Sequence, residues 1–100
     1  MSTDMLMVAA HPGEHIQEIL DDHGLDAAGL AEVLHVPEQT VADVIAERTD
    51  LPADLALRLA RWLGQSPEFW VRLDAHYRAV RAMNANRAAI EAVKPRADAA

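Results

Sequence analysis

Residues 27–46 read AAGLAEVLHVPEQTVADVIA, and apolar residues recur in them at helical spacing on both sides of Val36-Pro37. Because proline cannot continue a helix, Pro37 ends the first segment and opens a second one. Ala31 has the small side chain that a close crossing of two helices requires. Larger apolar side chains would fill the wedge between the helices: Leu30, Leu34, Val36, Val41 and Val44. The stretch therefore predicts a helix-turn-helix.

Prolines, glycines and capping residues predict three more helices around this pair. The predicted helix starts are marked by Pro12, Asp26, Pro37, Pro52 and Ser66. Gly24 and Gly64 mark helix ends. The last helix extends toward residue 92, where Lys94-Pro95 stops it. We predict an all-α, five-helix fold with a long C-terminal helix.

The chain has 100 residues, which is enough for one core but too few for two. We predict an N-terminal arm at 1–10, a helix-turn-helix domain at 11–93 and a disordered tail at 94–100. For the apolar segment Met5–Ala10 two interpretations stay open. It is either a disordered start whose last residues pack on the core, or an arm that adds to a groove or sheet edge of a partner.

The N-terminal segment and the absence of cysteine predict a cytoplasmic protein. The sequence has no cysteine, and its first four residues, Met1-Ser2-Thr3-Asp4, carry an acid where a signal peptide would carry basic residues. Its longest N-terminal apolar run is too short to span a membrane, so we expect no membrane association.

Charge is distributed unevenly along the chain. Residues 1–54 contain twelve acidic residues and one basic residue, Arg48, whereas residues 55–100 contain four acidic and eight basic residues. The net charge of -7 is thus the sum of a half at -11 and a half at +4. Such an asymmetry bears on the choice of partner.

Three segments that flank the helix-turn-helix carry a family resemblance. They are His11-Pro12-Gly13-Glu14, residues 56–64 (ALRLARWLG) and residues 66–70 (SPEFW), in that order. With the helix-turn-helix between them, they closely resemble the HigA-type antitoxins of the XRE-like helix-turn-helix class over residues 11 to about 80. The resemblance implies a lambda-repressor-like domain that forms a homodimer and represses its own operon. It also implies that the domain neutralises a small RelE-like ribonuclease toxin.

The resemblance further implies that the third helix enters the major groove of operator DNA. The candidate DNA-binding residues are Glu38, Gln39, Thr40, Asp43 and Arg48. The amide of Gln39 can pair with an adenine edge, whereas the carboxylates of Glu38 and Asp43 would accept from a cytosine amine. Thr40 would reach a base or a phosphate, and Arg48 would hold a phosphate at the helix end.

This sequence departs from the family pattern at the turn and on the DNA-facing helices. His35 stands where the family has a left-handed glycine, at a cost on the order of 1 kcal/mol. Ala27 replaces a phosphate-binding glutamine, and the third helix begins without the usual cations. Because Lys and Arg supply most phosphate affinity, we expect the acidic N-terminal half to disfavour operator binding. Four arginines on the fifth helix would add positive charge to the DNA-facing surface if dimerisation places them beside it: Arg72, Arg78, Arg81 and Arg87.

The same acidic half suits a basic protein partner. A ribonuclease toxin must be basic where it holds RNA, so we expect this half to cover that surface electrostatically. Trp70, Leu73 and Tyr77 form an aromatic and apolar stripe that we predict at a two-fold dimer interface. We expect Phe69 to pack inward on the first and fourth helices.

The sequence gives little support to a metal site, a cofactor site or an enzyme active site. His11, Glu14 and His15 lack the spacing of a zinc helix, so we expect a helix start with solvent-facing histidines and no metal. Without a phosphate loop or a nucleophile–base pair, we predict neither a cofactor nor an enzyme. Two alternatives to the antitoxin remain: a helix-turn-helix scaffold that has lost DNA binding, and a solitary transcriptional regulator.

Overall fold

The computed structural model describes residues 9–97, and this part of the chain forms five α helices and no strand. The helices are α1 (Pro12–His23), α2 (Ala27–Leu34), α3 (Glu38–Ile45), α4 (Ala53–Leu63) and α5 (Pro67–Glu91). The predicted all-α, five-helix helix-turn-helix fold with a long C-terminal helix is confirmed.

The starts of all five helices, and the ends of α1 and α4, lie where the sequence predicted them. Asp26 accepts a hydrogen bond from the Gly29 N–H at 2.7 Å, which caps α2. The Ser66 hydroxyl caps α5 in the same way. Gly24 and Gly64 end α1 and α4 in the left-handed conformation, at φ 64° and 70°.

One apolar core holds the five helices together, and each helix contributes side chains to it. Helix α3 packs on α1 and α2, α4 packs on α2 and α5, and α1 also contacts α5. The largest of the fully buried side chains are Trp70, Ile16, Leu30, Leu55, Leu59, Val41 and Val44. Because α3 gives its whole inner face to this core, only its outer face is available to a partner.

The His11 side chain is buried at the edge of the apolar core, so the prediction that it faces solvent is wrong. Its side chain is 3% exposed. The ring Nδ1 accepts from the Gly13 N–H at 2.9 Å, which caps α1. Since Nδ1 accepts, the proton resides on Nε2, which donates to the Thr49 carbonyl at 3.0 Å. The ring also contacts Tyr77 edge-on, with 4.9 Å between the centroids. His11 therefore joins α1, the α3–α4 loop and α5.

Helix α5 continues beyond the core and changes direction near its end. Asn86 has non-helical backbone angles, φ -130° and ψ 24°, and its side-chain amide donates to the Ala82 carbonyl at 3.1 Å. Residues 88–97 are exposed. None of the helices within residues 9–97 combines the length and the apolar content that a membrane-spanning segment needs.

The predicted arm at 1–10 lies outside the described residues except for Ala9 and Ala10. The predicted tail at 94–100 is described as far as residue 97. The division at residues 11 and 93, and both interpretations of Met5–Ala10, stay predictions.

Candidate nucleic-acid interface

The turn between α2 and α3 sets the angle at which α3 is presented. His35 adopts the left-handed conformation with φ 60° and ψ 45°, as expected from its position. The Val36 N–H then bonds to the Ala31 carbonyl at 3.0 Å. Ala31 is 3% exposed, so the small residue predicted at the crossing is buried there. A left-handed histidine is strained relative to glycine, and the backbone hydrogen bonds of the turn offset that strain.

An arginine from α4 secures the same turn from the side. The Arg58 Nη1 donates to the carbonyls of Leu34 and His35 at 2.9 and 3.1 Å. Its Nε donates to Asp54 at 2.8 Å. These bonds satisfy carbonyls that the end of α2 leaves without a helical partner. Arg58 is therefore occupied in positioning the turn.

The outer face of α3 carries the candidate DNA-binding residues. Glu38 and Gln39 are exposed, and Thr40 and Asp43 are partly exposed. On the inner face Val41 and Val44 are fully buried. Helix α3 is thus anchored by one side and presents the predicted residues on the other.

Three of these residues form a hydrogen-bonded string along the outer face. The Gln39 Nε2 donates to the Asp43 Oδ1 at 2.7 Å. The Arg48 Nε donates to the same oxygen at 2.9 Å, and its Nη2 lies 2.9 Å from that oxygen. Two hydrogen bonds hold the pKa of the Asp43 carboxyl below its ordinary value. The bond from Gln39 has the larger effect, and the bond from Arg48 has the next largest.

Arg48 reaches Asp43 because the chain reverses at the end of α3. Glu47 is left-handed, with φ 61°, and the Arg48 N–H bonds to the Asp43 carbonyl at 2.9 Å. This is a Schellman-type helix end built on a non-glycine residue. The sequence does not indicate this helix end, since glutamate carries no signal for the left-handed conformation. The helical spacing of Gln39 and Asp43 could have revealed the first bond of the string.

The arginines of α5 are largely engaged within the chain. Arg81 pairs with Asp50 at 2.7 Å, Arg78 with Asp74 at 3.1 Å and Arg87 with Glu91 at 3.2 Å. Three of the four arginines that were expected to add positive charge to the α3 surface are therefore already paired with a carboxylate. Helical spacing could have revealed the pairs of Arg78 and Arg87, whereas the Arg81–Asp50 pair joins residues that are distant in sequence.

The predicted dimer stripe requires a correction. Trp70 is only 1% exposed, and its indole N–H donates to the Gln65 side chain at 2.8 Å, so it has no surface to offer a second copy. Phe69, expected inside, is 46% exposed. The two adjacent residues exchange roles because neighbours on a helix point about 100° apart. Leu73 and Tyr77 are partly buried, and their place at a dimer interface stays a prediction.

Metal ligands do not come together in the portion of the chain that the structure covers. Residues 9–97 contain no group of three His, Asp or Glu side chains that could hold a metal ion. His15 contacts Glu18 at 4.0 Å on the outside of α1, while His11 is committed to its cap.

Solved structures similar to this chain include operator complexes. A Pseudomonas aeruginosa protein in complex with its operator DNA is 36% identical, with a TM-score of 0.84 over 89% of this chain and 96% of that one. Antitoxin HigA of the same bacterium, solved with the higBA promoter, is 34% identical with a TM-score of 0.84, over 89% and 99% of the two chains. The expectation that the acidic half disfavours operator binding finds no support in these neighbours.

Curated relatives extend the same likeness at the sequence level. Virulence-associated protein I of Dichelobacter nodosus is 38% identical over 72 residues, which cover 71% of this chain and 67% of that protein. The chain spans between 52% and 67% of the length of the curated relatives it matches. No protein-family model matches the chain. Several of the relatives and neighbours are named antitoxins or transcriptional regulators, which are non-enzymatic kinds of proteins.

Proposed function

Because this chain belongs to the HigA-type antitoxins of the XRE-like helix-turn-helix class, we propose that it represses its own operon by binding operator DNA through α3. The observation that carries this proposal is a neighbour of 36% identity that was solved on its operator and matches 89% of this chain. In this proposal Glu38, Gln39, Thr40, Asp43 and Arg48 face the DNA.

The electrostatics of α3 predict the character of that binding. Arg48 is the single basic residue of the first 54, and its guanidinium already pairs with Asp43. Since few phosphates can be neutralised, the affinity should depend only weakly on salt compared with basic repressors. Specificity then rests mainly on base contacts and on shape.

A gel-shift titration tests operator binding directly. The probe is a duplex from the region upstream of the gene, and its control is a shuffled duplex of equal length and composition. We expect the upstream duplex to bind at least about tenfold more tightly than the control at physiological salt. Equal affinity for both duplexes would contradict the proposal.

We propose as the second half of the function that the protein neutralises a RelE-like ribonuclease toxin through its acidic N-terminal half. Most acidic residues of that half lie on the outside of the helices, and the exposed ones include Glu14, Glu18, Asp21, Asp22, Asp26, Glu32, Glu38 and Glu47. An RNA-binding surface is rich in cations, so the two surfaces are complementary in charge.

Co-expression with the neighbouring open reading frame tests this half. We expect a short basic toxin whose arrest of growth is relieved by this protein and which co-purifies with it. The charge reversals Glu18→Lys and Asp22→Lys on α1 should weaken the complex, most clearly at low salt. The reversal Glu91→Lys, on the basic half, is the matched control. If the affinity for the toxin does not change between low and high salt, the proposed electrostatic contact through the acidic half is contradicted.

A homodimer through Leu73 and Tyr77 is part of the same proposal. Both side chains are partly buried within one copy and lie on α5 near the exposed Phe69. Analytical ultracentrifugation should find a dimer for the wild type and a shift to monomer for Leu73→Asp. An unchanged dimer would place the two-fold interface elsewhere.

The acidic outer face of α3 favours one alternative, a scaffold that has lost DNA binding. In residues 38–48 the three acidic residues Glu38, Asp43 and Glu47 outnumber the one arginine, Arg48. Equal affinity in the gel-shift titration, together with toxin binding, would select this scaffold. Operator binding without any toxin would select a solitary regulator.

A further inference from the structure

Gln39 has an amide whose two ends read different bases, so its orientation matters for specificity. Its Nε2 donates to the Asp43 Oδ1 at 2.7 Å, one helical turn further along α3. An ionised carboxylate only accepts hydrogen bonds. Asp43 therefore bonds the nitrogen end of the amide and would repel the oxygen end.

Asp43 is itself held in place from the other side. Its Oδ1 also accepts from the Arg48 Nε at 2.9 Å, and the Arg48 backbone N–H bonds to the Asp43 carbonyl at 2.9 Å. Two independent contacts thus fix Arg48 over the end of α3, and Arg48 in turn fixes the carboxylate. Oδ1, which accepts from both Gln39 and Arg48, is poorly placed to take a third donor, so a direct contact between Asp43 and a base would have to come from Oδ2.

We propose that Asp43 is a positioning residue that holds Gln39 in the single orientation suited to adenine, without touching a base itself. With one N–H bonded to Asp43, the amide of Gln39 retains its second N–H and its Oε1. That donor and acceptor match the N7 acceptor and N6 donor of adenine in the major groove. The inference rests on the proposed operator binding through α3.

The proposal differs from two simpler roles for Asp43. A direct reader of cytosine would impose a cytosine preference of its own. A plain negative charge would lower the affinity for every sequence equally, through repulsion of the phosphates. A positioning residue instead acts at the base pair that Gln39 reads and at no other.

The experiment measures affinity for a set of duplexes in which each base pair of the upstream binding site is replaced in turn. The proteins are the wild type, Gln39→Ala, Asp43→Ala and Asp43→Asn, with Glu47→Gln as the control that removes an equal charge from the exposed end of α3. Circular dichroism and thermal unfolding establish that each variant is folded.

We expect wild type and Glu47→Gln to discriminate by roughly tenfold at one A·T pair in each half-site. Gln39→Ala and Asp43→Ala should both reduce that discrimination to less than about twofold, at the same pair only. Asp43→Asn, which keeps an acceptor oxygen, should retain it. Affinity for a shuffled duplex should rise equally in Asp43→Ala and Glu47→Gln, since each removes one negative charge.

Each other outcome overturns the inference. Discrimination lost at a C·G pair instead would make Asp43 a direct reader, and a uniform gain with full discrimination would make it a plain charge. Specific binding without an adenine preference at Gln39 would also overturn it while leaving the proposed function intact. A wild type that does not prefer its upstream duplex would contradict the proposed function itself.

Discussion

Arg81 on α5 donates two hydrogen bonds to Asp50 in the loop after α3, at 2.7 and 3.0 Å between nitrogen and oxygen. The next residue in that loop, Leu51, donates its N–H to the buried carboxylate of Asp74 at 3.2 Å. The preceding residue, Thr49, accepts from His11. Three consecutive residues are therefore bound to α1 and α5, which fixes the end of α3 relative to the helix that we propose at the dimer interface.

The Asp50–Arg81 pair makes a pH-dependent contribution to stability. The hydrogen bond from Arg81 holds the pKa of Asp50 below its ordinary value of 3.8. The stabilisation is therefore fully present above that value and is lost as pH falls through the lowered pKa. Because both side chains are over one-third exposed, Arg81→Ala should lower the Tm at pH 7 by only about 2–4 °C.

The measurement is the Tm difference between wild type and Arg81→Ala between pH 5 and pH 3. We expect the difference to narrow as the pH falls. The exposed Arg61, replaced by alanine on α4, is the control and should give no such trend. A difference that stays constant or grows at low pH would mean that Arg81 acts through something other than ionised Asp50.

Gly13 allows α1 to approach the backbone of α3 closely. A Cβ atom at this position would lie 2.2 Å from the Val44 carbonyl oxygen, which cannot move without shifting the end of α3. Gly13→Ala should therefore cost about 1–3 kcal/mol in the free energy of unfolding, or more. Urea titration gives the value.

Gly29→Ala is the matched control, because the new Cβ would meet side-chain atoms and no backbone: the far end of Leu25 at 3.2 Å and the Asp26 carboxylate at 3.3 Å. Alanine is also favoured by about 1 kcal/mol within a helix. The two effects should nearly cancel, leaving little net change. Similar losses for both variants would argue against a special close approach at Gly13.

The left-handed residues after α2 and α3 store strain that glycine would release. His35 and Glu47 have φ of 60° and 61°, and both are exposed. His35→Gly and Glu47→Gly should each stabilise the fold by up to about 1 kcal/mol in thermal or chemical unfolding. Ala46→Gly, at φ -78°, should destabilise it instead. Destabilisation by His35→Gly would show that the imidazole contributes more than the strain costs.

The sequence predicted the helices well because proline, glycine and aspartate act locally on the backbone. Asp26 and Gly64 specify where helices begin and end with little help from distant residues. Ala31 at the helix crossing was likewise predictable, since close packing requires a small side chain there.

Side-chain partners across the fold were not predictable in the same way. The burial of His11 depends on Thr49 and Tyr77, which are distant in sequence. Apolar character alone does not decide between the adjacent Phe69 and Trp70, because which of them faces the core depends on the rotation of α5. The bond from Arg48 to Asp43 follows a chain reversal at Glu47 that no sequence rule indicates.

Operator binding through the outer face of α3 is tested most directly by fluorescence anisotropy with the upstream duplex, comparing wild type with the double variant Gln39→Ala/Arg48→Ala. Loss of a base contact and a phosphate contact should weaken binding about tenfold or more, with the fold unchanged by circular dichroism. Equal affinities of the two proteins for that duplex would place the DNA interface on another surface and contradict the account.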